Sequence, residues 1–385
     1  MTTTIHWHGL HIPASMDGGP AQQIPPRETW RPHFTIMQQV ALNWYHPHAH
    51  HKSGEHTYRG MAGLFIIEDD ESLALDLPRD YGVDDVPLVI QDRAFNEDGT
   101  FRYKTEDRDF ILGMRGDVIL VNGTPNAFFQ ATTGRLRFRI LNGSNARVYN
   151  LRFDGDRTFH QIGTGGSLLE APVEMSRVLL GAGERAEIVV DVSEGEDVVL
   201  KSFPHDARAV SANIEDPNDI ENAPFPVLTI RAPDTPMESV QVPERLIDIE
   251  PLAEEDAAVV RKITLSMGTS GKGWFVINGQ PFDMMRVDET VKLGDIEVWE
   301  VMNASPLPHP FHIHDVHFLI LDRNGAEPSI DQRGYKDTIL VKPGELVRLI
   351  MHCEDFADPM IPYMYHCHML EHEDGGMMGQ FVVVE

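Results

Sequence analysis

The sequence predicts an all-β protein made of several sandwiches, on three observations. Short apolar or alternating segments recur at Gly63 to Ile67, Leu136 to Leu141, Ala186 to Val192, Val287 to Val301 and Leu346 to Met351. Turn dipeptides stop them, as Asn142-Gly143 does after Leu141. Glycine (31) and proline (26) are plentiful, which fits many short strands and turns rather than helical bundles. At roughly 100 to 200 residues per domain, 385 residues hold two or three such units.

Taken in order, the elements divide into three parts. Residues 1–75 contain His6-Trp7-His8-Gly9, His46-Pro47-His48 and the strand at Gly63 to Ile67. A loose linker over residues 70–86 leads into residues 76–235, which carry the strands at Leu136 and Ala186. A second linker, Ala232 to Glu254, is rich in Pro, Asp and Glu and opens the last part, residues 236–385. That part holds His309-Pro310-Phe311-His312-Ile313-His314 and, near its end, His366-Cys367-His368-Met369-Leu370-Glu371-His372 with Met377 beyond.

Composition narrows the function. Sixty acidic against 32 basic residues give a formal charge of −28, which argues against nucleic acid and anionic membranes as partners. No run approaches the ~18 apolar residues of a membrane span. The start, Met1-Thr2-Thr3-Thr4-Ile5-His6, has no charged region followed by an apolar one, so no signal peptide is read there. Two cysteines are too few for a disulfide framework, and Cys353 reads as a small buried hydrophobe with a free thiol.

The histidines carry the chemistry. Each of the four clusters contains a His-x-His step, and period-two spacing puts both imidazoles on one face of a strand. Among 19 histidines one such step arises by chance, but four, one of them wrapped around a cysteine, point to metal. A thiolate, imidazole and distant thioether make a blue-copper electron-transfer site. Cys367 would supply the thiolate, His372 an imidazole and Met377 the axial sulfur. On an extended strand His366 and His368 project together, away from Cys367, so one strand faces two copper sites.

These residues resemble the multicopper oxidases along nearly the whole chain, in the three-domain bacterial branch that includes the periplasmic cuprous oxidase and bacterial laccases. The supporting stretches are HWHGLHIPASMDGGP (His6 to Pro20), GMAGLFIIEDD (Gly60 to Asp70), LLGAGERAEIVVD (Leu179 to Asp191) and HCHMLEHEDGGMM (His366 to Met378). The resemblance implies three cupredoxin-like Greek-key sandwiches and four copper ions per chain. It implies that His309, Cys367 and His372 bind a type 1 copper with Met377 axial, that His6 and His312 bind a type 2 copper, and that His8, His46, His48, His314, His366 and His368 hold a type 3 pair. Electrons would enter singly at the edge of His309 or His372 and pass from Cys367 along covalent bonds to His366 and His368. Dioxygen would be reduced to water, with Asp17 and Glu373 as proton relays. Relatives that have lost copper and serve as scaffolds lack several of these residues; none is missing here.

The chain departs from the family at its start, since relatives carry several strands before the first His-Trp-His-Gly. The first domain is therefore expected to lack its opening strands, with a second copy of the chain or a preceding segment covering the sheet edge. Family members are exported, to the periplasm or beyond. His11, His33, His50, His51 and His56 are assigned to no copper and read as supporting or solvent-facing imidazoles. Asp337 reads as an acid supporting the type 1 region.

Substrate is read from what surrounds His309. The cuprous oxidase carries a methionine-rich insertion and, before this cluster, an acid and a methionine; here the chain reads Met302-Asn303-Ala304-Ser305-Pro306-Leu307-Pro308. Met284, Met285, Met360 and Met364 read as core fillers. A laccase-like oxidation of phenols or aromatic amines follows, at an accessible histidine edge in a shallow apolar depression. The alternatives are a Cu(I) or Mn(II) oxidase in metal homeostasis and a non-enzymatic cupredoxin scaffold.

Overall fold

The computed structural model describes residues 1–206, 219–233, 241–268 and 275–385. Strands dominate, and no helix among the described residues is long and apolar enough to cross a membrane. An eight-stranded sheet and a five-stranded sheet enclose one core, where Leu88, Phe138, Ile140 and Ile188 of the first meet Leu151, Phe153, Leu200 and Ile230 of the second. A further pair of five-stranded sheets encloses another, with Ile263, Trp299, Val301 and Leu349 packed against Phe311, Ile339, Tyr365 and Phe381. Both are cupredoxin-like sandwiches in which inward apolar residues alternate with outward ones.

In each sandwich parallel pairs interrupt the antiparallel ladders. Asp85–Phe95 runs parallel to Arg135–Asn142, and Ala257–Met267 runs parallel to Ile296–Asn303. Each of these parallel pairs joins strands that are not consecutive in the chain. The N-terminal region has one two-stranded ladder, Ala41–Tyr45 against Gly63–Ile67, in register from Ala41 opposite Ile67 to Tyr45 opposite Gly63.

Polar pairs tie the first of these sandwiches together. Arg139 is held by Asp85 and Glu68, Arg137 donates from Nε to Glu187 at 2.8 Å, and Arg147 meets Asp92, Asp219 and Glu221. A buried charge is tolerated only when paired in this way.

Several expected elements differ. Val287 to Val301 is two strands, Glu289–Lys292 and Ile296–Asn303, because Gly294 takes φ +85° and breaks the run. Residues 70–86 are not loose: Asp70–Ala74 is a helix with a capping box between Asp69 and Ser72. Leu77 just beyond it packs with Val40, Ile162 and Leu169, and with Leu246 and Ile247 from the second linker. That second linker lies partly outside the described residues, at 234–240. Cys353 is buried and free, as read from sequence.

Two pairings position the site. At the N-terminal end the backbones of His6 and His46 exchange hydrogen bonds, at 2.8 and 3.1 Å, which joins the first two clusters. In the last sandwich His309–Ile313 lies between Thr338–Val341 and Asp358–Cys367, with Phe311 opposite Cys367 and His312 opposite His366.

Candidate metal centre

Eight histidines converge where these two ends of the chain meet, and all are buried. In six of them the hydrogen bonds follow one rule: the outer nitrogen of a ring donates to a fixed acceptor, and the inner one faces another ring. His6 Nδ1 donates to the Asp17 carbonyl (3.0 Å), His46 Nδ1 to Pro47 O (3.0 Å), His312 Nδ1 to Asp337 O (2.8 Å) and His366 Nδ1 to Cys367 O (3.1 Å). His314 Nδ1 donates to Asp17 Oδ2 at 2.8 Å. His8 is inverted: its Nε2 lies 2.9 Å from Asp337 Oδ1 and 2.9 Å from Thr338 Oγ1, which leaves Nδ1 inward.

The inner nitrogens then crowd. His6 Nε2 is 3.4 Å from His312 Nε2, His8 Nδ1 is 3.4 Å from His46 Nε2, and His366 Nε2 is 3.1 Å from His48 Nε2 and 3.3 Å from His314 Nε2. In the His6–His312, His8–His46 and His314–His366 contacts both rings have their proton committed outward, which sets lone pair against lone pair, and a shared cation relieves this. His368 adds two buried nitrogens with no hydrogen-bond partner. Buried polar atoms are otherwise nearly always paired. The donors fall into three groups: His6, His8 and His312; His8, His46 and His368; His48, His314 and His366.

Burial keeps seven of these rings neutral, the form that binds metal. It pushes His8 down to about 3, against the pull of Asp337. It pushes His46, His48, His312, His314, His366 and His368 well below the usual histidine range, with neighbouring rings adding to the effect.

A separate trio sits inside the last sandwich. His309 Nδ1 is 3.3 Å from Cys367 Sγ, His372 Nδ1 is 3.7 Å from it, and the two ring nitrogens are 3.3 Å apart. Thiolate plus two imidazoles in a triangle is the donor set of blue copper. Met377 is fully buried and its carbonyl accepts from the Cys367 amide at 3.1 Å, so it adjoins the trio. Phe275 covers His372, with ring centroids 4.0 Å apart.

The outer edges of the trio are covered, contrary to the expected accessible histidine edge. His309 Nε2 is 2.6 Å from Ser305 Oγ, and His372 Nε2 donates to the Ile111 carbonyl at 3.0 Å. A flanking cavity, of about 430 Å³, is polar rather than apolar: it is lined by Arg102, Arg108 and Arg115 with Glu106, Asp109 and Asp219, and by Leu112 and Gly113 next to Ile111.

Asp17 and Glu373 both reach the histidines. Asp17 Oδ1 is 3.2 Å from His6 Nδ1 as Oδ2 bonds His314. Glu373 lies 3.4 Å from His48 Nδ1 and 3.4 Å from His366 Nδ1, and its two oxygens have no hydrogen-bond partner. Burial, then the charge of Asp374, pushes the Glu373 carboxyl well above the usual range. The helix Leu370–Asp374 that carries it is pinned by its other acids: Glu371 accepts from Tyr103, Asn145 and Met114, and Asp374 from the Ser53 and Gly54 amides.

Asp337 is not near the trio. The pairing of His312 with Thr338 places it under the histidine cluster, bonded to His8 and to Arg185 at 2.5 Å. Burial alone would raise its carboxyl, but the Arg185 charge outweighs that and holds it well below the usual range. Gly9 is required here: its φ is +89°, and a Cβ would lie 2.6 Å from Asp337 Oδ2. Gly183, at φ +81°, plays the same part against the His368 ring.

Three of the four methionines read as core fillers are on the surface: Met284, Met285 and Met360, with only Met364 buried. Among the unassigned histidines, His33 and His51 are exposed, and His56 is buried with Nδ1 3.0 Å from Thr3 Oγ1. Residues that sequence reasoning missed are Thr338, Arg185, Ser305, Glu371 and Trp44, which stacks on His46 at 4.2 Å. Arg185 sits within the Leu179 to Asp191 stretch, where its being the one basic residue of the run was the available signal.

A fold of paired sandwiches with buried imidazoles beside a cysteine sulfur defines a copper-binding protein, and its relatives agree. The chain matches two multicopper oxidase models, over residues 256–385 and 1–72. It is 35% identical to the multicopper oxidase mco of Staphylococcus aureus, spanning 100% of this chain and 77% of that protein. It is 36% identical to the cell division protein FtsP of Photorhabdus laumondii, over 98% of this chain and 77% of that one. Among solved structures it superposes on the laccase-like multi-copper oxidase CueO of Ochrobactrum sp. with a TM-score of 0.89 at 34% identity, covering 100% of this chain and 85% of that one. The chain belongs to the multicopper oxidase family. Membership implies an oxidoreductase that binds copper and uses dioxygen with a reductant, and the orphaned inner nitrogens fit that metal.

Proposed function

We propose that this protein is a laccase-like oxidase, with domains at 1–75, 76–235 and 236–385. It takes single electrons from phenols or aromatic amines at a type 1 site, His309, Cys367, His372 and Met377. His6 and His312 would hold a type 2 copper, and His8, His46, His48, His314, His366 and His368 a type 3 pair, a trinuclear site that would supply the reduction of dioxygen. Copper, when bound, supplies the one-electron redox chemistry and the affinity for dioxygen.

The observation that carries this reading is the placement of three consecutive residues. Cys367 belongs to the trio, while His366 and His368 belong to the histidine cluster. The two donor sets are thus joined by single covalent steps. Asp17 and Glu373 move the protons: each lies against two cluster rings and keeps an oxygen free of hydrogen bonds. Arg185 and Asp337 hold His8 in its inverted orientation.

The reductant docks outside the covered rings. The cavity beside Ile111 admits a polar phenol within one residue of the carbonyl that His372 bonds. Outer-sphere transfer needs only a short bonded route, which this hydrogen bond supplies. A second reading, Cu(I) or Mn(II) oxidation, is favoured by one observation. Met284 and Met285 stand exposed on a loop whose Phe282 amide bonds the Gly376 carbonyl, next to Met377, and thioethers select Cu(I). Oxygen uptake by copper-loaded protein, with a methoxyphenol or Cu(I) as sole reductant, separates the two. Faster uptake with the phenol supports the laccase reading, and faster uptake with Cu(I) replaces it.

A further inference from the structure

A histidine pair outside both donor sets is left unused by this chemistry. His11 and His317 face one another with ring centroids 4.7 Å apart and planes tilted by 56°. Both line a cavity of about 250 Å³ whose other walls include Met37, His352, Glu354 and Asp355. His11 Nε2 is shut off from solvent and has no hydrogen-bond partner. The residue is fixed from behind: its amide donates to Gln38 Oε1 at 2.9 Å, and Gln38 Nε2 donates to Gly9 O at 2.7 Å.

The proton positions favour coordination. His317 Nε2 donates to the Gly9 carbonyl at 2.9 Å, so Nδ1 is the nitrogen with a lone pair. A ring whose far nitrogen is tied to a backbone carbonyl is the usual form of a metal-bound histidine. Burial, and then the proximity of His317, pushes His11 down to about 3, so it too is neutral. At the mouth, His352 Nδ1 lies 2.7 Å from Glu354 Oε1, and burial together with Glu354 raises the Asp355 carboxyl. Two neutral imidazoles behind a carboxylate rim suit a cation of intermediate softness, for which Zn(II) and Cu(II) are the common choices.

We infer that this cavity is a transition-metal site distinct from the histidine cluster, held by His11 Nε2 and the His317 lone-pair nitrogen, with water completing the shell. It abuts the cluster through one side chain: His317 Nε2 is 3.9 Å from Asp337 Oδ2, and Asp337 bonds His8.

The test is equilibrium dialysis of the copper-loaded protein against Zn(II) alone, with zinc and copper counted separately by mass spectrometry. Wild type and His33→Gln, which alters an exposed histidine away from the cavity, should take up one zinc per chain with copper unchanged. His11→Gln and His317→Gln should weaken that uptake at least tenfold while keeping the wild-type circular dichroism. Absence of a zinc equivalent in wild type, or equal uptake in both variants, overturns the inference. Should a variant fail to fold, anomalous diffraction from zinc-soaked wild-type crystals decides: a peak between His11 and His317 supports the site, and zinc bound only elsewhere refutes it.

Discussion

His372 turns its outer nitrogen onto the protein itself, donating from Nε2 to the Ile111 carbonyl at 3.0 Å. The trio in the last sandwich is therefore roofed by a short helix, Asp107–Ile111, that belongs to the preceding part of the chain. Replacing that helix with a Gly-Ser connector should expose the His372 edge and raise kcat/KM for a bulky phenol by about tenfold, equivalent to ~1.4 kcal/mol of barrier. Steady-state kinetics alongside the visible spectrum check this. An unchanged rate with intact colour would mean that electrons enter elsewhere.

Asp17 bridges His6 and His314 without touching the trio. Asp17→Asn should keep the blue absorption and slow oxygen reduction by roughly 10²- to 10⁴-fold, the usual worth of a positioned proton donor. Bleached colour with normal turnover would remove Asp17 from the relay.

Arg185 and Asp337 form a buried pair, and removing one charge strands the other. Arg185→Met should destabilise the fold by about 3 to 5 kcal/mol, with a smaller loss when Asp337→Asn accompanies it. Urea denaturation of the two variants reads the difference directly. A double variant that loses the sum of what Arg185→Met and Asp337→Asn lose singly would show that the pair is not coupled.

Acid stability should depend on Glu187. Burial alone would raise its carboxyl, but Arg137 and Arg139 outweigh that and hold it below its ordinary 4.5. A carboxylate depressed in the folded state adds stability that is fully present above its unfolded value and is lost as pH falls through the folded one. Glu187→Gln should accordingly flatten the loss of stability below about pH 4.5, and an unaltered acid limb would contradict this.

Much of the donor set was legible because its signal is local. His-x-His steps and the His366 to His372 run announce themselves in one strand's length, and the strand at Gly63 to Ile67 ends where its apolar run ends. What was not legible depends on pairings far apart in the chain. Asp337 was assigned to the wrong donor set because only the register of His312 with Thr338 places it under the histidines. The covering of His372 by Ile111 uses a backbone carbonyl, which has no side-chain signature. The turn at Gly294 hid within an apolar stretch. The exposed Met285 read as core because a thioether's hydropathy does not reveal which way a loop faces.

The most direct test of the central claim is oxygen uptake by copper-loaded wild type and Cys367→Ser with a methoxyphenol as sole reductant. If Cys367 links the two donor sets, wild type should consume one dioxygen for every four one-electron oxidations, and the variant should lose its blue colour and its uptake together. Uptake that persists in the colourless variant would contradict the account.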